Sequence, residues 1–437
     1  MTTLIPKFEQ PYSNTVNRPI NLKFQESVSV LDFGAVADGN TTTGAGTDNS
    51  PFFQAAINAL GAGGCLYIPP GIYQLHSQVT VPSNFQIVGS GIYSTTLTCP
   101  NAFNSDGLIK FNGAGGPPTE IINLNISAQL NGAGASSIGL NMAANGSFAS
   151  NIWVGGFKTG VKLSSSSSFF YNSVCDIGVA GGTGINITSG STIVSNVQVY
   201  ANYVGVSIYA PFGDAPVTLN NVQTVQCGYI GISIDTANNV QVNNCSACSA
   251  VSSANFGYGG IVIANSSNVD ISNFVGKLTT QQTTGNGGIY SINSTSINIS
   301  NSQITNYYDG ININNGGDIT INGNNCSNNY HYGISVSACD RTIVSNNNCN
   351  ADGSASTTDA GIYSNNSLGY QTHNIVGNIC SQTGGGVQEY GIYANVTNNG
   401  ASTGFTNIVG NICKYNSTAN ISTNGVTGNI TSTGNVT

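Results

Sequence analysis

Charge is the scarcest property of this chain. Only 6% of its 437 residues are Asp, Glu, Lys or Arg, against about 25% in an ordinary soluble protein. Basic residues are rarest: nine Lys and Arg leave a net charge of −8, and Arg341 is the only arginine after Arg18. That excludes the basic patch required for nucleic-acid binding. Long apolar runs are missing too. No stretch approaches the 20 or so apolar residues that cross a bilayer, so no membrane insertion is expected. The first residues, MTTLIPKFEQPYSNTVNRPI, lack a basic region followed by an apolar stretch, so no signal peptide is expected. The eleven cysteines are an odd number for a disulfide framework. Without a secretory signal they read as mostly reduced thiols, made in a cytosol. Disorder does not fit, because 39% of the chain is apolar and charges are few.

Gly, Asn, Ser and Thr fill the space that charges leave. Glycine followed by an aliphatic residue recurs at Gly139, Gly160, Gly184, Gly205, Gly231, Gly260, Gly288, Gly310, Gly333, Gly361 and Gly391. The spacings run from 21 to 30 residues. The third residue after the glycine is aliphatic in eight of the eleven, as at Met142, Ile187 and Ile313. Each unit carries a second alternation, such as NVQV, NVDI or DITI. Alternation of this kind marks strands, and a 20–30-residue period of short strands marks a solenoid. The leucine framework of leucine-rich repeats is absent, and β-branched alternation excludes helical repeats. The expected fold is all-β: a right-handed parallel β-helix, with eleven coils spanning roughly 50 Å before the N-terminal section is added.

Asparagine suits the corners of such a coil because it tolerates left-handed backbone angles. Stacked on itself, its amide can also donate and accept along a ladder. Cys326, Cys349, Cys380 and Cys413 follow the second strand of four successive units. They are expected as an inward column of small buried hydrophobes, although disulfides between adjacent coils remain open on distance alone. Cys245 and Cys248 form a lone C-x-x-C, which is weak evidence for zinc. No metal site and no cofactor are expected.

Before the repeats, TDNSPFFQAAINALGAGG predicts a helix with Ser50 as N-cap and Pro51 in the first helical position. Phe53, Ala56, Ile57 and Leu60 share one face, and Gly61 ends the helix. A single amphipathic helix suits a cap over the open end of a solenoid. The expected division is 1–27 as an attachment and oligomerisation segment, 28–100 as the capping section with its helix and first strands, and 101–437 as coils.

The capping section resembles the pectate-lyase-like superfamily of right-handed β-helices, and within it bacteriophage tailspikes and tail fibres. The matching residues are Asp32-Phe33-Gly34-Ala35, Asp38-Gly39, Gln54-Ala55-Ala56-Ile57 and Gly63-Gly64 leading to Ile68-Pro69-Pro70-Gly71-Ile72-Tyr73. VNRPINLKFQESVSVLDFGA is similar to the virion-attachment stretch of such phage proteins. The resemblance implies a homotrimeric spike, made in the host cytoplasm and carried on the virion. It would join other tail or baseplate proteins through its N-terminal segment, and recognise or cleave host surface glycan. It names no catalyst: the Asp-Asp pair, Gly-His-Gly and Arg-x-Lys of polygalacturonases are absent, as are the clustered acids of calcium pectate lyases. A purely adhesive virion fibre and a cellular lyase or epimerase are the alternatives.

Counting back two residues from the repeat glycines gives a column: Tyr203, Tyr229, Tyr258, Asn286, Tyr308, His331, Asp359 and Glu389. Asp309 adjoins Tyr308. The longer units place their extra residues just before the same corner, and insertions gathered on one face often form a binding face. Adjacent coils would put Asp359 and Glu389 about 5 Å apart, near the spacing of a retaining glycosidase. Asp309 and Asp359, two coils apart, would lie roughly 9–10 Å from each other. Asp309, His331, Asp359 and Glu389 are therefore the candidate catalytic groups, with Tyr229, Tyr258 and Tyr308 as stacking surfaces for sugar rings. Solvated corner residues with no chemistry are the competing reading. Asp340 and Arg341 read as a local surface pair, and His76 and His373 as isolated structural histidines.

Overall fold

The computed structural model describes residues 7–8, 18–19, 28–113, 116–129, 134, 136–201, 203–210, 215–249, 259–285, 287–350, 352–353, 359–366, 371–382, 388–396, 405–425 and 430–437. Tyr258 and most of residues 1–27 lie outside that set.

The coils stack as a parallel β-helix. One sheet holds fourteen parallel strands, from Val79–Pro82 to Ala419–Gly425. Its inward aliphatics align from coil to coil, as in Ile311, Ile334, Ile362, Ile392 and Ile421. Every repeat glycine lies at the start of a strand in this sheet or one residue before it. The count exceeds the eleven expected coils because two strands precede Gly139 and one follows Gly391. In that last strand Asn420 occupies the glycine position, which hid it from a glycine search.

Close approach explains why the position is glycine. A Cβ on Gly310, Gly333 or Gly361 would stand 2.4, 2.7 or 2.9 Å from the carbonyl oxygen of the next repeat glycine. Real Cβ atoms do not tolerate such contacts with backbone, and overpacking of this kind destabilises by about 1–3 kcal/mol or more.

The remaining wall bends at a left-handed corner. Long strands such as Phe169–Ile177 and Thr192–Ala201 turn through it, and from Asn238–Asn243 onward each is replaced by two short strands. The corner residue is Asn123, Asn151, Asn172, Asn196, Asn221, Asn244, Asn273, Asn301, Gly323, Asn346, Gly377, Gly410 or Gly434, each with φ between 47° and 70°. Only Asn and Gly appear in this column, the residues that adopt such angles at least cost, although Ser167, Thr236 and Ala338 adopt them at other turns.

The residue after the corner points inward. In the last coils it is again asparagine: Asn324, Asn347, Asn378, Asn411 and Asn435. Each backbone N–H and side-chain amide of Asn324, Asn347, Asn378 and Asn411 donates to Oδ1 of the next rung, at 2.9–3.0 Å. Asparagine thus serves both expected roles, at adjacent positions.

Two residues further on, Cys326, Cys349, Cys380 and Cys413 align in register and are fully buried. All eleven cysteines are free. The column abuts the glycines: a Cβ on Gly333 or Gly361 would meet Cys349 or Cys380 Cβ at 2.9 or 3.1 Å. Burial pushes the Cys349 thiol up. Cys349→Ser should lower the urea midpoint, corresponding to about 1–3 kcal/mol if the hydroxyl finds no partner, and native Cys349 should resist thiol labelling until the coil unfolds.

The helix Ser50–Leu60 caps the first coils and buries Phe53, Ala56 and Ile57. Phe53 meets Tyr73 edge-on, 5.8 Å between centroids. The N-cap is Asn49 rather than Ser50, so Pro51 stands one position later than expected. Ser50 is otherwise engaged: its Oγ accepts the His76 and Ser77 N–H groups and donates to Asp48. Asn49 instead ties Val36 to Thr47. Asp32, Asp38 and Asp48 all accept local backbone N–H bonds, which is structural work.

Candidate functional site

The glycine spacing carries the preceding corner residues into register. Tyr332 pairs with Ala360 and Ala360 with Tyr390, so His331, Asp359 and Glu389 stack one coil apart. Tyr390 N–H donates to the Asp359 carbonyl at 2.9 Å, and His331 N–H to that of Tyr308 at 2.8 Å. The backbone ladder therefore fixes the column Tyr308, His331, Asp359, Glu389.

The four candidate groups form one cluster. His331 stands between two carboxylates, with Nδ1 3.3 Å from Asp309 and Nε2 3.7 Å from Asp359. Asp309 and Asp359 are only 2% and 1% exposed, whereas Glu389 is half-buried. Asp309 accepts the Tyr332 N–H at 3.1 Å and the Asn312 amide at 2.7 Å. Its pKa is nonetheless raised, because burial outweighs His331 and those donors. Glu389 is also raised, first by burial and then by the charge of Asp359. Its Oε2 is buried without a hydrogen-bond partner. A carboxyl in that setting keeps its proton more readily than one beside a cation.

Aromatic rings flank the cluster. The Tyr308 ring lies 5.1 Å from His331 and 5.8 Å from Tyr330. Tyr229 stacks on Tyr203 at 4.6 Å, but three units before Tyr308, roughly 14 Å along the rod. Tyr332, Tyr363 and Tyr393 form a second stack, with centroid spacings of 4.7 and 5.8 Å and planes within 11°. Sequence reasoning missed it. Tyr363 and Tyr393 stand two residues after their repeat glycines, each next to an inward isoleucine, so counting forward as well as back would have found them.

A fourth acid lies behind the cluster. Asp352 is fully buried, and its Oδ1 accepts the Asn329 N–H and amide at 2.8 and 3.0 Å. Burial raises its pKa well above the usual carboxylate range. It occupies one rung of a polar ladder that includes Asn329, Gln388 and Asn416.

Two other charged positions are structural. Arg341 pairs with Asp318 of the preceding coil rather than with Asp340, and its Nη2 lies 2.7 Å from Oδ2. The two stack in register on adjacent strands, one coil apart. His373 is fully buried between Ser364 Oγ at 2.7 Å and the Cys339 carbonyl at 3.0 Å. Burial lowers its pKa to about 4 from 6.5. The unfolded chain then binds more protons than the native one between those values, so stability falls as pH drops from 6.5 toward 4, by about 3 kcal/mol in all. Urea midpoints for His373→Gln, compared with the native chain across that window, should show a flatter acid limb.

The model for "Rhamnogalacturonase A/epimerase, pectate lyase-like" matches residues 27–247. The chain belongs to this pectate-lyase-like family. A second model, the right-handed β-helix region, matches residues 230–403 and gives the solenoid its hand. Together they agree with the resemblance read from Asp32 through Tyr73. Comparison with curated proteins returns no match. Among solved structures, tailspike protein 3 of bacteriophage CBA120 is 13% identical, with 98% of this chain and 65% of that one covered at a TM-score of 0.59. The catalytic unit of an α-1,3-glucanase from Streptomyces thermodiastaticus is 18% identical over 82% of this chain and 68% of that one, at 0.60. The A-module of a mannuronan C-5 epimerase from Azotobacter vinelandii is 17% identical over 94% and 98%, at 0.54. Shared architecture at these identities does not carry an activity across.

Proposed function

We propose that this pectate-lyase-like protein is a virion tailspike or tail fibre that binds host cell-surface polysaccharide along its tyrosine and acid edge and hydrolyses it there. It would act as a homotrimer, joined to tail or baseplate proteins through residues 1–27. One observation carries the reading. Asp359 and Glu389 are neighbours on adjacent coils, yet a histidine faces the first while burial and the first's charge raise the pKa of the second. Carboxyl pairs with divided environments supply the acid and the counter-charge of glycoside hydrolysis. Glu389 would protonate the leaving oxygen, and Asp359 would face the positive charge developing on the sugar ring until water adds to it. His331 and Asp309 position Asp359.

The charge balance favours hydrolysis over elimination. Among the described residues His331 is the only basic side chain beside the carboxylates, so the site offers little to neutralise a uronate. The stack of Tyr332, Tyr363 and Tyr393 lies beside the acids, and the half-buried rings of Tyr363 and Tyr393 offer apolar contact to sugar rings. Tyr363→Ala combined with Tyr393→Ala should weaken polysaccharide binding about tenfold, read by titration calorimetry.

Incubation with purified capsule or lipopolysaccharide, followed by sizing and reducing-end assay, tests the activity. Shortened chains with new reducing ends support hydrolysis. Binding without shortening would favour the adhesive fibre, and unsaturated ends would favour a lyase. Light scattering at micromolar concentration should give three chains per particle.

A further inference from the structure

A second register column runs over the outer wall of the first coils. Cys65 pairs with Gln86, Gln86 with Glu120, Glu120 with Phe148, and Phe148 with Phe169. These five side chains line an open cavity of about 560 Å³, within the 300–1,000 Å³ range of small-ligand sites. Gly63, Gly64 and Gly146 also line it, so no side chain from those positions fills the space.

The column is polar at one end and aromatic at the other. Gln86 Nε2 donates to Glu120 Oε2 at 2.6 Å, and the Cys65 thiol lies 3.2 Å from Gln86 Oε1. These bonds fix the carboxylate on the wall. Phe148 and Phe169 are both half-exposed and one coil apart. Tyr171 braces them, with centroids 5.7 Å from Phe148 and 6.2 Å from Phe169.

We propose that this groove is a second glycan-binding site, which takes a neutral or amine-bearing sugar and has no catalytic role. The aromatic rings present flat apolar faces to the C–H face of a pyranose. Glu120 accepts hydroxyl or ammonium protons. Among the described residues no basic side chain lines the groove, so acidic sugars are disfavoured by charge. Six coils separate Phe169 from the Tyr308 level, roughly 30 Å along the rod. A polysaccharide could occupy both sites at once, raising avidity with no new contact at either.

Saturation-transfer NMR on the full chain tests this with glucose, galactose, N-acetylglucosamine and glucosamine, and with glucuronate as the acidic control. At least one neutral or amino sugar should receive saturation, and glucuronate should not. The signal should weaken at least about tenfold in Phe148→Ala/Phe169→Ala and in Glu120→Ala. It should persist in Asp359→Asn and Glu389→Gln, so that loss of cleavage and loss of this binding are read separately. Should the double aromatic variant fail to fold, Glu120→Ala alone carries the test, since it alters one half-exposed side chain. An undiminished signal in a folded Glu120→Ala variant, no signal from any neutral or amino sugar, or a signal lost only in the acid-cluster variants would overturn the proposal.

Discussion

Glu389→Gln should reduce polysaccharide cleavage at least about 10²-fold, the usual loss on removing a general acid, while binding and melting stay near those of the native chain. The amide keeps the size of the side chain but has no proton to give. Stability should change little, because Glu389 is half-buried and its Oε2 has no hydrogen-bond partner to lose. Asp359→Asn should bring a comparable loss with a different signature. Asp359's charge contributes to the raised pKa of Glu389. Without that charge Glu389 ionises at lower pH, so the alkaline limb of the rate profile should move toward acid. A purely structural role for Asp359 would lower the amount of folded protein and leave the profile of the remainder in place. Full cleavage by both variants would place the chemistry elsewhere.

The largest stability loss is expected at the buried asparagine ladder. Asn378→Leu keeps the branching of the side chain but is bulkier. It removes the acceptor for the Asn347 N–H and amide, at 2.9 and 3.0 Å. It also removes the donor to the Val344 carbonyl at 2.9 Å. Each buried group left without a partner costs about 1–3 kcal/mol, so the three together should cost about 3–9 kcal/mol. Asn346→Gly is the control. Asn346 is the exposed corner residue next door with φ of 56°, a conformation glycine accepts, and its effect should stay within about 0.5 kcal/mol. Thermal melts rank the two. Hydrogen exchange should show the ladder variant opening first around Asn347 and Asn378, since coils of a solenoid lean on nearest neighbours.

That pair of residues also marks where sequence reading stops. Asn346 and Asn347 are adjacent identical letters, yet one sits exposed at the left-handed corner and the other is buried on a ladder. Composition and period show that asparagine belongs to the coils without saying which asparagine faces in. Asp352 was hidden for a related reason: one acid in a polar segment carries no mark of which way it faces, and only backbone geometry decides. The solenoid itself was legible because glycine marks the strand starts and aliphatics alternate after it. The acid cluster was legible because a fixed coil pitch turns a sequence offset into a spatial neighbour. His331's place between Asp309 and Asp359 was not, since it depends on rotamers. Ser50 misled because serine caps helices as well as asparagine does, and tertiary partners decided between them.

The glycine column has an evolutionary reading. Where one backbone rests directly on the next, no side chain sets the separation, and that edge of the rod behaves as a stiff rail. The spacing between successive glycines varies from 21 to 30 residues, yet register is recovered at each one. Segments inserted just ahead of a glycine can therefore lengthen, shorten or be exchanged while the mounted row of Tyr308, His331, Asp359 and Glu389 keeps its alignment. Such an edge lets the outer contour facing a ligand diversify quickly while the groups beneath hold still.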